Sequence, residues 1–100
     1  MLVDDPTFAW PWLAHTNLGW AQYKLGDTRN ARKNLLVALD YRENYWPARL
    51  NLGILEADQK HPREALDQFR QVLAQQPGPH AEAEAHYRIC LLYTSDAADE

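Results

Sequence analysis

Apolar residues recur along the chain at the spacing of residues that share one face of an α-helix. Ala31, Leu35, Ala38 and Leu39 stand at positions i, i+4, i+7 and i+8, a stripe that predicts a helix ending near Tyr41. Prolines at helix starts and glycines after helix ends mark the other boundaries. The pattern predicts helices at about residues 11–25, 28–41, 46–59 and 62–75. Gly26 is expected to form a left-handed cap after the first helix, and Asp27 or Thr28 to cap the second.

The first two predicted helices resemble the next two when the sequence is shifted by 34 residues. The shift pairs residues of similar size and polarity: Asn17 with Asn51, Leu18 with Leu52, Gly19 with Gly53, Ala31 with Ala65, Leu35 with Phe69, and Ala38 with Val72. A repeat of this period is typical of stacked helix pairs. We expect each glycine to lie where the two helices of a pair cross closely, with the alanine facing it.

Leu52, Gly53, Ala65, Phe69 and Pro77 of the second unit resemble the tetratricopeptide repeat pattern of Leu-Gly, Ala, a large apolar residue and Pro. The resemblance implies an all-α fold of tandem antiparallel helix pairs, a superhelical solenoid with about five helices here. The sequence departs from the pattern at three positions, none of which breaks a helix: His15, Gln22 and Glu43.

The repeat register divides the chain into units. Repeat 1 is expected at about residues 12–45, repeat 2 at about 46–79, and a partial repeat 3 from about Ala83, after a connection lengthened by Pro77, Gly78 and Pro79. Residues 1–89 are thus predicted to be a fragment of a repeat array.

The last eleven residues, Cys90 to Glu100, resemble the in-frame translation of a sequencing adapter, and we predict that they are not native. The alternative is a genuine helix, since the run from Ile89 to Tyr93 also fits the repeat pattern. Without this tail, 11 acidic residues stand against 10 basic ones, so the net charge changes from −4 to about −1.

Composition argues against several classes of function. The 100 residues are 46% hydrophobic and contain no apolar run of about 20 residues that could span a membrane, nor a signal-peptide pattern at Met1. Ten scattered basic residues do not form a nucleic-acid footprint. The four histidines lack metal-site spacing, and no nucleophile stands beside a base at a recognisable spacing. We expect no enzyme, no metal and no cofactor, but a module that binds a protein or peptide.

In tetratricopeptide arrays the first helices of the pairs line a concave groove that binds polypeptides. The resemblance places the following residues along it: Leu13, Thr16, Asn17, Trp20, Tyr23, Lys24, Leu50, Asn51, Ile54, Ala57 and Asp58. Trp20 and Tyr23 are candidate binding anchors, because exposed aromatic side chains bury a large area at low entropic cost. Alternatively, Trp20 packs against a preceding repeat, and Asn17 and Asn51 make contacts between helices.

A narrower resemblance links residues 14–27 and 46–54 to bacterial tetratricopeptide lipoproteins that support type IV pilus assembly as pilotins. It implies a secretin or pilus component as partner and a location on the periplasmic face of the outer membrane. A cytoplasmic scaffold and a regulatory segment of a larger enzyme or signalling protein remain alternatives, and the sequence leaves the compartment open.

Overall fold

The computed structural model describes residues 10–99, with side chains up to Thr94, and this part of the chain contains five α-helices and no β-strand. The helices are α1 (Pro11–Lys24), α2 (Thr28–Tyr41), α3 (Trp46–Asp58), α4 (Pro62–Ala74) and α5 (Pro79–Asp99). Connections of three or four residues reverse the chain between consecutive helices, and each helix packs on the next. The prediction of an all-α fold with tandem antiparallel pairs and five helices is confirmed.

The helix boundaries follow the proline and glycine signals in the sequence. Gly26 adopts a φ of +88° after α1, as expected of a left-handed cap. Asp27 caps α2, because its carboxylate accepts hydrogen bonds from the backbone N–H and the side-chain amide of Asn30. The fifth helix begins at Pro79, earlier than the expected start of the third unit at about Ala83. Proline costs little there, since the first N–H groups of a helix have no partner within it.

The two repeat glycines let the helices of each pair approach closely. A Cβ at Gly19 would lie 3.0 Å from Leu35 Cγ and 3.1 Å from the carbonyl oxygen of Ala31. A Cβ at Gly53 would lie only 2.5 Å from Cε1 of Phe69. The close helix crossings predicted from the sequence repeat are therefore present in both pairs.

The core forms between successive pairs as well as within them. One buried cluster joins α2 to α3 and consists of Ala31, Leu35, Ala38, Ala48, Leu52 and Leu55. A second cluster of Ile54, Ala65 and Phe69 joins α3 to α4, and Ile89 of α5 packs against it. The first helices of the pairs, α1, α3 and α5, also contact one another in sequence. This arrangement places three roughly parallel helices side by side on one surface.

The helix α5 continues through Cys90 into the run that resembles an adapter. Ile89 and Leu92 pack against the second cluster, while Leu91 and Tyr93 are exposed. The non-native origin of Cys90 to Glu100 stays a prediction, which resequencing of the source locus tests. No helix within residues 10–99 combines the length and the apolar character that a membrane span requires.

Candidate peptide-binding groove

A groove with a volume of about 310 Å³ lies between α1, α3 and α5. It is lined by Trp20 from α1, by Trp46, Leu50, Asn51 and Ile54 from α3, and by His80, Ala81, Glu84 and Arg88 from α5. Four residues that the sequence predicted for the groove, Trp20, Leu50, Asn51 and Ile54, are thus brought together in one cavity. We call this cavity the upper groove.

The floor of the upper groove is an apolar stripe on α3. Trp46, Leu50 and Ile54 are spaced four residues apart, so their side chains lie on one face of the helix. Leu50 is half-buried and packs against the second core cluster, of which Ile54 is a member with 6% of its surface exposed. The floor is therefore well anchored, because the core that joins α3 to α4 supports it from beneath.

The wall formed by α5 is polar. Glu84 accepts a hydrogen bond of 2.7 Å from Nε of Arg88, one helical turn later, and His80 lies one turn before Glu84. Arg88 and Glu84 neutralise each other, so this wall offers hydrogen-bonding groups without a large excess of charge. The upper groove thus combines an apolar floor with a polar edge, as small binding clefts commonly do.

Trp20 forms the α1 side of the groove. Its ring lies 5.1 Å from the ring of Tyr23, and the Nζ atom of Lys24 lies 5.1 Å from the Trp20 ring centroid, within cation–π range. The indole also packs against the second core cluster. Trp20 therefore packs against the repeat that follows it and does not depend on a preceding repeat for this contact. Its ring also forms part of the groove wall.

Tyr23 links α1 to the end of α3. Its hydroxyl donates a hydrogen bond to the carboxylate of Asp58. Burial, together with this hydrogen bond and the negative charge of Asp58, raises the pKa of Tyr23 to about 12. Tyr23 is thus neutral at physiological pH and serves as a donor that holds the two helices together.

A second cavity of about 260 Å³, the lower groove, continues beyond Ile54 and Arg88, which line both cavities. Its remaining lining residues are Ala57, Asp58, Lys60, Phe69, Leu91 and Leu92. Ala57 and Asp58, both predicted for the groove, therefore lie in this lower part. Two of the lining residues, Leu91 and Leu92, belong to the run that resembles an adapter.

The other predicted groove residues on α1 have different surroundings. Thr16 is only 4% exposed, and its hydroxyl donates to the backbone carbonyl of Trp12. Its side chain is therefore engaged within α1 rather than open to a ligand. Leu13 is half-buried, whereas Asn17 and Lys24 are exposed. Neither Leu13 nor Asn17 lines the upper or the lower groove.

Sequence reasoning missed Trp46 and the whole α5 wall. Trp46 is not among the predicted groove residues, although its place four residues before Leu50 puts both side chains on one face of a helix. The wall residues His80, Glu84 and Arg88 also share a four-residue spacing. His80 was missed because the third unit was expected to begin only at about Ala83. Glu84 and Arg88 lie within that unit, but groove positions were assigned only in the first two units.

Among the residues that the structure describes, no three His, Cys, Asp or Glu side chains come together as a potential metal site. No protein-family model matches the sequence, and no curated protein matches it either.

Proposed function

We propose that this chain is part of a tetratricopeptide repeat array and that it binds a partner polypeptide without catalysing a reaction. The observation that carries the proposal is the upper groove, in which Trp20, Trp46, Leu50 and Ile54 surround one cavity beside a polar wall. The 34-residue repeat and the glycine crossings support the assignment to the family.

The groove suits a polypeptide because its apolar part is made of large side chains. Binding energy at protein interfaces is concentrated in a few such residues near the centre, with polar groups around them. The amide of Asn51 and the charged groups of Glu84 and Arg88 supply the polar edge. A cavity of this volume accommodates one or two partner side chains, so we expect affinity to depend on apolar anchors in the partner.

Selection from a displayed random-peptide library tests the proposal. Selected peptides should bind the purified chain, and Leu50→Asp should weaken binding at least about tenfold, since an anchor contact contributes more than about 1.4 kcal/mol. Leu36→Asp is the matched control, because Leu36 is a leucine on α2 with 46% of its surface exposed and it lies outside both grooves. Circular dichroism should show equal helical content in both variants. Peptides that bind folded Leu50→Asp as well as the unchanged chain would exclude the groove.

The narrower proposal is a role in type IV pilus assembly, with a secretin or pilus component as the partner. Its support is the sequence resemblance of residues 14–27 and 46–54 to pilotin lipoproteins. A purified secretin should bind the chain and lose that binding with Leu50→Asp. The alternative is a regulatory segment of a larger enzyme or signalling protein. A gene that encodes a signal peptide and a lipidated cysteine favours the pilotin, and one that encodes a catalytic domain favours the alternative.

A further inference from the structure

The described residues that line the upper groove include one acid and one base, and the two are bonded to each other. Nε of Arg88 donates a hydrogen bond of 2.7 Å to Oε2 of Glu84, one turn earlier on α5. The side chains of Arg88 and Glu84 are 34% and 40% exposed, so the pair lies at the open edge of the cavity. The two charges therefore cancel within the upper groove itself.

Two charged side chains beside the upper groove also have partners within the chain. Nζ of Lys24 lies 5.1 Å from the centroid of the Trp20 ring, whose electrons attract it. Asp58, in the lower groove, accepts a hydrogen bond from the hydroxyl of Tyr23. A charged partner residue that approaches either of these groups therefore meets one that is already engaged.

Partner binding makes the pairing of Glu84 with Arg88 more important. An exposed ion pair on one helix contributes little to stability, because water solvates and screens both charges. A partner that fills the groove displaces this water, and a charge left without a partner in such a site is costly. A charged partner residue would have to break the Glu84–Arg88 bond or stay unpaired itself. The upper groove therefore disfavours partner charges of both signs.

The pair still offers hydrogen bonds to an uncharged ligand. Its bond uses Nε and Oε2, so the two terminal nitrogens of Arg88 and Oε1 of Glu84 have no other partner in the described part of the chain. The side-chain amide of Asn51 lines the same cavity. These donors and acceptors match the carbonyl and N–H groups of peptide amides. The apolar floor of the groove supplies the contact for a large apolar side chain.

We propose that the upper groove selects an uncharged segment of its partner, in which a large apolar side chain is flanked by residues without charge. This inference rests on the proposed peptide-binding function and adds the chemistry of the ligand. Glu84 and Arg88 determine the specificity, because each cancels the charge of the other. Removal of one member leaves the other unpaired, so single substitutions should make the groove favour charged peptides, with opposite signs for the two residues.

A panel of three peptides tests the selectivity of the unchanged chain. The probe is a peptide from the library selection described above, synthesised with blocked termini and with Ser, Asp or Lys beside its apolar anchor. The Ser form should bind at least about tenfold more tightly than the other two, a factor that one broken hydrogen bond to a charged group accounts for. Its affinity should change less than about twofold between about 50 mM and 500 mM salt, because no ion pair forms across the interface.

Single substitutions in the ion pair test its role. Glu84→Gln leaves Arg88 unpaired and should shift the ratio of affinities for the Asp and Lys forms at least about tenfold towards Asp, whereas Arg88→Gln should shift it as far towards Lys. The double variant should again prefer the Ser form. Glu82→Gln is the matched control, because it removes the same charge from α5 outside both grooves. His80→Gln, at the remaining titratable lining residue, should also leave the ratio unchanged, and circular dichroism should show equal helical content throughout.

The outcomes separate this inference from the proposed function. An Asp or Lys form that binds the unchanged chain as tightly as the Ser form overturns the uncharged ligand, while peptide binding itself stands. The inference is equally wrong if Glu84→Gln and Arg88→Gln do not shift the ratio in opposite directions, or if Glu82→Gln shifts it as much as Glu84→Gln. If the selection yields no peptide that binds the chain, the proposed function fails and this inference fails with it.

Discussion

Gly26 and Lys60 occupy the same left-handed position in successive helix pairs, 34 residues apart, with φ angles of +88° and +65°. Each ends the turn after the first helix of its pair, where the chain reverses into the second helix. Glycine adopts this conformation freely, whereas a side chain clashes with the neighbouring backbone. The second pair therefore contains local strain that the first pair avoids.

The first prediction is that Lys60→Gly stabilises the chain. Relief of a left-handed lysine gains about 1–2 kcal/mol, and the greater freedom of glycine in the unfolded chain removes about half of it. We expect a net gain of up to about 1 kcal/mol in the free energy of unfolding. Urea unfolding measures it, and Gly26→Lys, the reverse change at the equivalent position, should destabilise. If both substitutions change the free energy of unfolding in the same direction, the explanation from left-handed strain is wrong.

The second prediction concerns the helix crossings. Gly53→Ala should destabilise more than Gly19→Ala, because its Cβ would lie 2.5 Å from the buried ring of Phe69, against 3.0 Å from Leu35 for Gly19. Overpacking of this kind costs about 1–3 kcal/mol. Thermal and urea unfolding of both variants test the order. Adding Phe69→Leu to Gly53→Ala should recover part of the lost stability, because the smaller side chain removes the contact. If the two substitutions instead change the free energy of unfolding additively, there is no direct clash between them.

Much of the fold could be predicted from the sequence because local signals and the repeat agree. Pro11, Pro62, Gly26 and the paired glycines mark helix ends and crossings through their backbone chemistry alone. The placement of α5 was less predictable. It depends on how Ile89 packs against the second core cluster. This is a tertiary contact, and the sequence of the connection from Gln75 to Gly78 does not indicate which residues of α5 make it.

The groove was only partly predictable for a related reason. A repeat position indicates which face of a helix turns inward, and Trp20, Leu50 and Ile54, all predicted from such positions, line one cavity in the structure. It does not reveal that the Thr16 hydroxyl bonds to its own helix or that Tyr23 binds Asp58. Those outcomes depend on side-chain conformation and on distances between repeats.

The third prediction concerns Glu56, which joins the two repeats. Its carboxylate accepts hydrogen bonds of 3.1 and 2.8 Å from Nε and Nη2 of Arg32, and another of 2.8 Å from His61. Burial alone would raise the pKa of Glu56, but these bonds outweigh it and hold the pKa below its ordinary value. A lowered pKa in the folded state means that the carboxylate stabilises the fold above the unfolded pKa of about 4.3. This stabilisation is lost as the pH falls through the folded pKa.

Glu56→Gln should therefore lower the free energy of unfolding by about 1 kcal/mol at neutral pH, and the difference from the unchanged chain should shrink in acid. Urea unfolding at a series of pH values measures the effect. Glu43→Gln is the control, since Glu43 is an exposed acid whose carboxylate has no ion-pair partner among residues 10–94. A Glu56→Gln deficit that stays constant down to about pH 2, below the ordinary glutamate pKa, would show that the ionised carboxylate is not the cause.

The last prediction concerns Tyr23, whose pKa is raised to about 12 by burial and by the hydrogen bond to Asp58. Because the folded pKa exceeds the unfolded value of about 10, the neutral hydroxyl stabilises the fold below pH 10, and this contribution is lost as the pH rises towards 12. Tyr23→Phe should cost about 1 kcal/mol at neutral pH, since it removes one hydrogen bond to a carboxylate. Its stability should then fall less steeply than that of the unchanged chain above pH 10.

Tyr41→Phe, a change at an exposed tyrosine without a hydrogen bond to an acid in the described region, is the matched control. If Tyr23→Phe and the unchanged chain lose stability in parallel between about pH 10 and 12, the Tyr23–Asp58 bond does not join the two repeats.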